Sequence, residues 1–244
     1  MVKAPTQRLG VIGGVGPVAT VEFYRSLNEQ VRHRTGASPD LVIHSLPMPV
    51  DLELAVLAGN LTGPDRAHIT NLLTTALDTL EHAGCRTIAM PCNSFHPFLR
   101  PLLTGRPLTL IDMVEATIET AAEHGLKRVL LLATGTSLNG AAYAAASDHG
   151  IELIQPPRQM GMDQLLEQCV GGDLQAIGLD ALQTALRDVP DVEGVLLGCT
   201  DLTVLRDALT PLTLVVDSLG CLVEACSAVL APTDRTTTRR ASTC

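Results

Sequence analysis

Two short segments hold residue types suited to moving a proton: Met90-Pro91-Cys92-Asn93-Ser94 and Leu197-Gly198-Cys199-Thr200-Asp201. Each cysteine follows an apolar, strand-like run, Thr87-Ile88-Ala89 in the first case and Gly194-Val195-Leu196-Leu197 in the second. Each is followed by a short polar residue able to cap a helix. A cysteine at such a junction lies near unpaired backbone N–H groups and the positive end of a helix dipole. That surrounding is expected to favour thiolate, the reactive form. One such cysteine suggests a nucleophile or a base. Two, in matching local frames in the two halves of the chain, suggest thiols that face one substrate from opposite sides.

The elements around them alternate. Leu9-Gly10-Val11-Ile12 reads as a buried first strand, Gly13 to Pro17 as a tight loop, and Val18 to Gln30 as a helix. Strands follow at Leu41–Leu46, Thr87–Met90 and Leu108–Ile111, with helices at Pro64–Ala83 and Met113–His124. Pro64 suits a first helical turn, and Gly84 and Gly125 suit the positions after helix ends. The pattern restarts with strands at Lys127–Leu132, Glu152–Ile154, Val192–Leu197 and Leu212–Val216. Helices are expected around Tyr143–His149, Asp163–Val170, Leu174–Arg187 and Ser218–Leu230. Such alternation with short connections predicts α/β architecture, two pseudo-symmetric domains, each a parallel sheet covered by helices. Ligands of such sheets bind beyond the carboxyl ends of the strands, which is where both cysteines fall. The active site is therefore expected in the cleft between the domains. The expected boundaries are residues 1–114 for the first domain, completed by 213–230, then 115–212 for the second, with a disordered tail over 231–244.

Composition narrows the function classes. The chain has 244 residues, is 46% hydrophobic, carries net charge −9 and is 2% aromatic, with no tryptophan. A nucleic-acid binder needs a basic face and often stacking aromatics; neither is visible. No apolar run is long enough to span a bilayer, and the N-terminal stretch lacks a signal-peptide core. A cytoplasmic protein without membrane or nucleic-acid partners is expected. The seven cysteines are odd in number, which argues against a disulfide framework. A zinc site from His82, Cys85, Cys92 and His96 fails on distance. Cys85 and Cys92 bracket one strand, and seven residues at ~3.3 Å each hold them ~23 Å apart. A dinucleotide fingerprint at Gly13 is also poor, because Pro17 interrupts the helix start and no acidic residue closes a second strand.

Taken together, Leu9 to Pro17 with Ala19-Thr20 and Phe23-Tyr24 resembles the opening of the aspartate/glutamate racemase superfamily, nearest its aspartate racemase branch. Cys92-Asn93-Ser94-Phe95-His96 resembles the family's Cys-Asn-Thr-x-His motif. Gly198-Cys199-Thr200-Asp201 resembles its Gly-Cys-Thr-Glu motif. The resemblance covers residues 8 to 230 or so. It implies a cofactor-independent isomerase in which Cys92 and Cys199, as thiolate and thiol, remove and return the Cα proton of an amino acid. It further implies that Asn93, Ser94 and Thr200 hold the α-carboxylate, that Ser137 stands where a substrate-contacting threonine does, and that Val15 in the glycine loop borders the substrate. His96 and Asp201 are expected to support this set, and a homodimer is expected from family habit.

Racemisation needs a base on one face of Cα and an acid on the other, as two opposed cysteines provide. A pyridoxal enzyme needs a Schiff-base lysine. The chain has two lysines, Lys3 near the terminus and Lys127 at the wrong end of a strand. No cofactor and no metal are therefore expected. The chain also departs from aspartate racemases. Leu52 and Val170 stand where that branch places an arginine and a lysine on the distal carboxylate. An unpaired buried charge is costly, so a neutral amino acid is expected as substrate, although Arg25, Arg66 or Arg158 could supply a cation from elsewhere. The alternatives are an aspartate or glutamate racemase proper, a decarboxylase or isomerase on the same scaffold, and a non-catalytic amino-acid-binding protein.

Overall fold

The computed structural model describes residues 7–139, 142–156, 186, 189 and 191–232. Strand β1 (Leu9–Gly13) is buried along its whole length, as an apolar strand covered on both faces must be. Gly16 turns the chain in a left-handed conformation at φ 61°, and Pro17 opens helix α1 (Pro17–Thr35). This helix buries Ala19, Phe23, Leu27 and Val31, one residue per turn on a single stripe. Strand β2 (Leu41–Ser45) leads to α2 (Val50–Ala58). Thr62 and Asp65 then form a reciprocal capping box at the start of α3 (Gly63–His82).

Strand β3 (Thr87–Ala89) ends just before Cys92. A 3₁₀ turn (Asn93–Phe95) runs into α4 (His96–Leu102), and β4 (Thr109–Ile111) follows. Asp112 caps α5 (Met113–Glu123), accepting from the N–H groups of Val114 at 2.9 Å and Glu115 at 3.2 Å. The second series comprises β5 (Arg128–Leu132), α6 (Gly135–Asn139), a 3₁₀ turn (Ala144–His149) and β6 (Glu152–Ile154). It continues with β7 (Gly194–Leu197), a 3₁₀ turn (Thr200–Leu205), α7 (Arg206–Leu209), β8 (Leu214–Asp217) and α8 (Ser218–Leu230). The helices expected at 163–170 and 174–187 fall almost wholly outside the described residues.

The strands form two four-stranded sheets, ordered β2-β1-β3-β4 and β6-β5-β7-β8. Every pairing is parallel. The strand orders match position for position, so the duplicated pattern in the sequence is a duplicated topology. One face of the first sheet packs Leu9, Val11 and Ala89 on Phe23 and Leu27 of α1 and Leu219 and Leu222 of α8. The other packs Ile12 and Ile88 on Ile69, Leu73 and Leu77 of α3. In the second sheet, Val129 and Leu131 face Val114 and Ile118 of α5. Leu130, Leu132 and Val195 face the turn at 200–205 and Leu209.

One boundary differs from expectation. Strand β8 pairs with β7 from Gly194↔Leu214 to Leu197↔Asp217. It therefore belongs to the second sheet and not to the first unit, to which residues 213–230 were assigned. The hydrogen-bonding edge of β7 dictates its place, while α8, directly after it, crosses to the first sheet. The segment Val50–Ala58, which carries Leu52, is also a helix that the sequence pattern does not predict. It is apolar on almost every side, which hides helical periodicity.

Candidate active site

The parallel sheets bring their strand ends to one small cavity. It is lined by Val15 and Gly16 of the glycine loop, and by Glu53, Val56 and Leu57 of α2. Cys92, Asn93 and Ser94 come from the end of β3, Thr134 from the end of β5, and Cys199, Thr200 and Asp201 from the end of β7. The atom-free space within this cavity and its mouth is about 340 Å³. Each cysteine is the extended residue before a 3₁₀ turn, with φ −155° at Cys92 and −135° at Cys199. The backbone N–H groups of Ser94 and Phe95 beside Cys92, and that of Asp201 beside Cys199, act to lower these thiols.

Hydroxyl and amide groups connect the two halves beside the cysteines. Ser94 Oγ lies 2.8 Å from Thr134 Oγ1 and 3.2 Å from Ser137 Oγ. Thr134 donates to Ser137 at 3.0 Å, which closes a triangle of hydroxyls. Asn93 donates to Ser218 Oγ at 2.9 Å and accepts from Tyr143 Oη at 2.7 Å. Across the opening, Thr136 donates to the Val56 carbonyl, tying α6 to α2. The buried hydroxyls are thus fixed by partners in the opposite half, and such a satisfied network sets their positions.

Of the residues singled out in the sequence, Val15, Cys92, Asn93, Ser94, Cys199, Thr200 and Asp201 meet at this cavity. Ser137 stands directly behind it, bonded to Ser94 and Thr134. His96 does not line it. Fully buried, His96 holds the Met90 carbonyl at 3.2 Å through Nε2 and approaches Asp112 within 3.3 Å through Nδ1. It thereby fixes the end of β3 on which Cys92 is carried. Val170 lies outside the described residues. Leu52 is a correction: it packs into the hydrophobic core beside α3, and the residue facing the cavity is its neighbour Glu53. The helical turn of α2 explains this: Leu52 lies on the buried stripe, while Glu53, Val56 and Leu57 reach the cavity.

Glu53 and Tyr143 escaped the sequence. Glu53 Oε1 accepts from the Gly16 N–H at 2.8 Å, pinning α2 to the glycine loop. Its signal was the i, i+4 relation with Leu57, readable only once α2 is a helix. Of the arginines considered as pocket cations, Arg25 pairs with Glu22 and Glu29 on α1. Arg66 sits 5.6 Å over the Phe98 ring, and Arg158 lies outside the described residues. Among the described residues, no lysine or arginine lines the cavity.

The electrostatics also correct the expectation that the local frame favours thiolate. Burial pushes the Cys92 thiol up to about 12, and the Asp201 and Glu53 carboxylates add to the rise, against the lowering by the Ser94 and Phe95 N–H groups. Cys199 is raised well above its ordinary value, first by burial and then by Asp201, whose Oδ2 lies 3.6 Å from its sulfur. Cys92 also opposes the ionisation of Cys199, and both cysteines line the one cavity. Asp201 is itself raised, by burial and by Glu53, against the lowering contact with Cys199. The site thus sets thiols among carboxylates, and positive charge brought by a ligand shifts them toward thiolate.

A doubled parallel α/β scaffold with paired cysteines at matching strand ends defines the class. The Asp/Glu/Hydantoin racemase family model matches residues 12–226, and the chain belongs to that family; it is an isomerase, a racemase. It is similar to the broad-specificity amino-acid racemase RacX of Bacillus subtilis (strain 168), with 23% identity over 225 residues, 89% of this chain and 95% of the relative. Its fold matches an aspartate racemase homologue from Pyrococcus horikoshii OT3 with a TM-score of 0.73 at 23% identity, over 92% of this chain and 99% of that one. The glutamate racemase of Francisella tularensis in complex with D-glutamate aligns with a TM-score of 0.66 at 17% identity, over 93% of this chain and 81% of that one.

Proposed function

We propose that the chain racemises an amino acid without cofactor, using Cys92 and Cys199 as a thiolate and thiol pair, and that its substrate is not a dicarboxylate. The single observation that carries this is the convergence of both cysteines on one cavity from equivalent strand ends of the two sheets. The thiolate on one side takes the Cα proton, and the Cα–H electron pair is left on the substrate, drawn toward its carboxylate. The thiol on the other side gives its proton to the opposite face of Cα. The products are the inverted amino acid and the pair with its protonation exchanged, so protons balance over one turnover.

Asn93, Ser94 and Thr200 receive the α-carboxylate in this proposal, with Ser137 and Thr134 holding Ser94 in place. Substrate charge is part of the mechanism. An α-ammonium beside Asp201 relieves the field that keeps the thiols neutral, so that as substrate binds one thiol releases its proton to solvent and becomes the base. No pyridoxal step is invoked, since the described lining offers no lysine for a Schiff base. The described cysteines are all free thiols, which suits the reducing cytoplasm, and no described helix is long and apolar enough to cross a membrane. A homodimer belongs to the same proposal; the exposed Val18 and Val21 on α1 and Val50 on α2 support it. The test is a screen of amino acids for Cα-proton exchange in deuterated water, read by NMR without added cofactor. Exchange is expected with at least one amino acid of non-acidic side chain. No exchange with any, or exchange confined to aspartate and glutamate, overturns the proposal.

A further inference from the structure

We propose that the site selects amino acids whose side chains carry a positive charge, and that Glu53 is the residue that reads it. This rests on the racemase chemistry above and names its substrate class. The described lining includes two carboxylates, Glu53 and Asp201, and no lysine, arginine or histidine. They stand on either side of Gly16. Its N–H holds Glu53 Oε1 at 2.8 Å, and a side-chain carbon at Gly16 would lie 3.5 Å from Asp201 Oδ1. The carboxylates hold different posts. Asp201 is beside the Cys199 thiol, where the reacting carbon and its ammonium must come. Glu53 projects from α2, beside the apolar surface of Val56 and Leu57.

A charge count over the described lining then points to the substrate class. A bound α-amino acid brings one negative group, its carboxylate, which the neutral hydroxyl and amide groups of Asn93, Ser94, Thr134 and Thr200 can accept. It brings one positive group, the ammonium, which partners Asp201. Within the described lining Glu53 then faces no cationic side chain, its hydrogen-bond partner being the Gly16 N–H. An unpaired carboxylate there is costly. A glutamate substrate adds another negative charge, and a neutral side chain leaves the deficit. A lysine-like chain cancels it, with its methylenes against Val56 and Leu57 and its charged end at Glu53, as long cationic side chains commonly lie along apolar surface. The neutral substrate expected from Leu52 is thus carried one charge further by the residue that actually faces the cavity.

The experiment compares kcat/KM for Cα-proton exchange of lysine, norleucine and glutamate. Norleucine has lysine's methylene chain without its ammonium. For the native protein, lysine is expected to exceed norleucine by tenfold or more, with glutamate the poorest. In Glu53→Gln, which keeps an oxygen to accept from Gly16, the lysine-to-norleucine ratio is expected to fall to within about threefold of one. Native protein that exchanges norleucine as well as lysine overturns this inference and leaves the racemase proposal standing. An undiminished ratio in folded Glu53→Gln removes Glu53 from the role and overturns it too. Exchange with none of a full amino-acid set overturns both.

Discussion

Replacing Asp201 with asparagine should make Cys199 easier to ionise, by an amount the geometry sets. The carboxylate Oδ2 lies 3.6 Å from the Cys199 sulfur. Two unit charges at that distance repel by about 1.2 kcal/mol in water and about 4.6 kcal/mol at the effective dielectric of a protein site. At about 1.4 kcal/mol per pH unit, removing the charge lowers the thiol by about one to three pH units. The sign is fixed by the chemistry: a carboxylate repels thiolate and accepts a hydrogen bond from the thiol, so both of its effects favour the neutral form. Asparagine has the same shape and no charge, which leaves the turn at 200–205 intact. The assay is the pH dependence of alkylation at Cys199, followed by mass spectrometry of the peptide that contains it. The inflection should lie well above 9 in the native protein and at least about one unit lower in Asp201→Asn. An inflection that stays put or rises would mean that burial alone sets the thiol, and the account of a carboxylate-restrained pair would fail.

Tyr143→Phe removes the donor that Asn93 Oδ1 accepts from at 2.7 Å. Leaving that buried oxygen unsatisfied should cost about 1–3 kcal/mol in urea unfolding, whereas a loss below a few tenths would show that Asn93 finds another partner. Asp112 links stability to acid. Burial alone would raise its carboxyl, but His96, 3.3 Å away, and the two hydrogen bonds from Arg100 outweigh that and hold it well below the usual carboxylate range. Its stabilisation is therefore full above the unfolded value near 4 and lost as pH falls toward the depressed native value. Asp112→Asn should lower stability at pH 7 and flatten its decline between pH 5 and pH 2; an unchanged acid limb would contradict this.

The strands were legible because parallel strands buried on both faces are continuous apolar runs, as at Leu9–Gly13 and Gly194–Leu197. Ser218–Leu230 keeps its expected limits, set by the Asp217 cap and the helical stripe after it. Convergence of Cys92 and Cys199 was also legible, since both follow strands at the ligand-binding edge of such sheets. Three things were not. Helix α2 is too uniformly apolar to show a period, so the choice between Leu52 and Glu53 as the cavity residue could not be made. Membership of β8 depends on which strand edge is open, a property of the assembled sheet. The thiol energetics depend on burial and, at Cys92, on Asp201 and Glu53, both far from it in sequence. The local frame displays only the N–H groups that lower a thiol, and none of the desolvation that raises it.

The central claim is that Cys92 and Cys199 act from opposite faces of one Cα. Deuterium wash-in, followed separately for each enantiomer of a turned-over amino acid, tests it in Cys92→Ala and Cys199→Ala. Racemisation should fall by about 10²–10⁴-fold in each variant, the usual worth of a general acid or base. Each variant should still exchange the Cα proton of one enantiomer, and the two variants should favour opposite enantiomers. Near-native racemisation in either variant, or retention of the same enantiomer's exchange by both, would contradict the two-cysteine account.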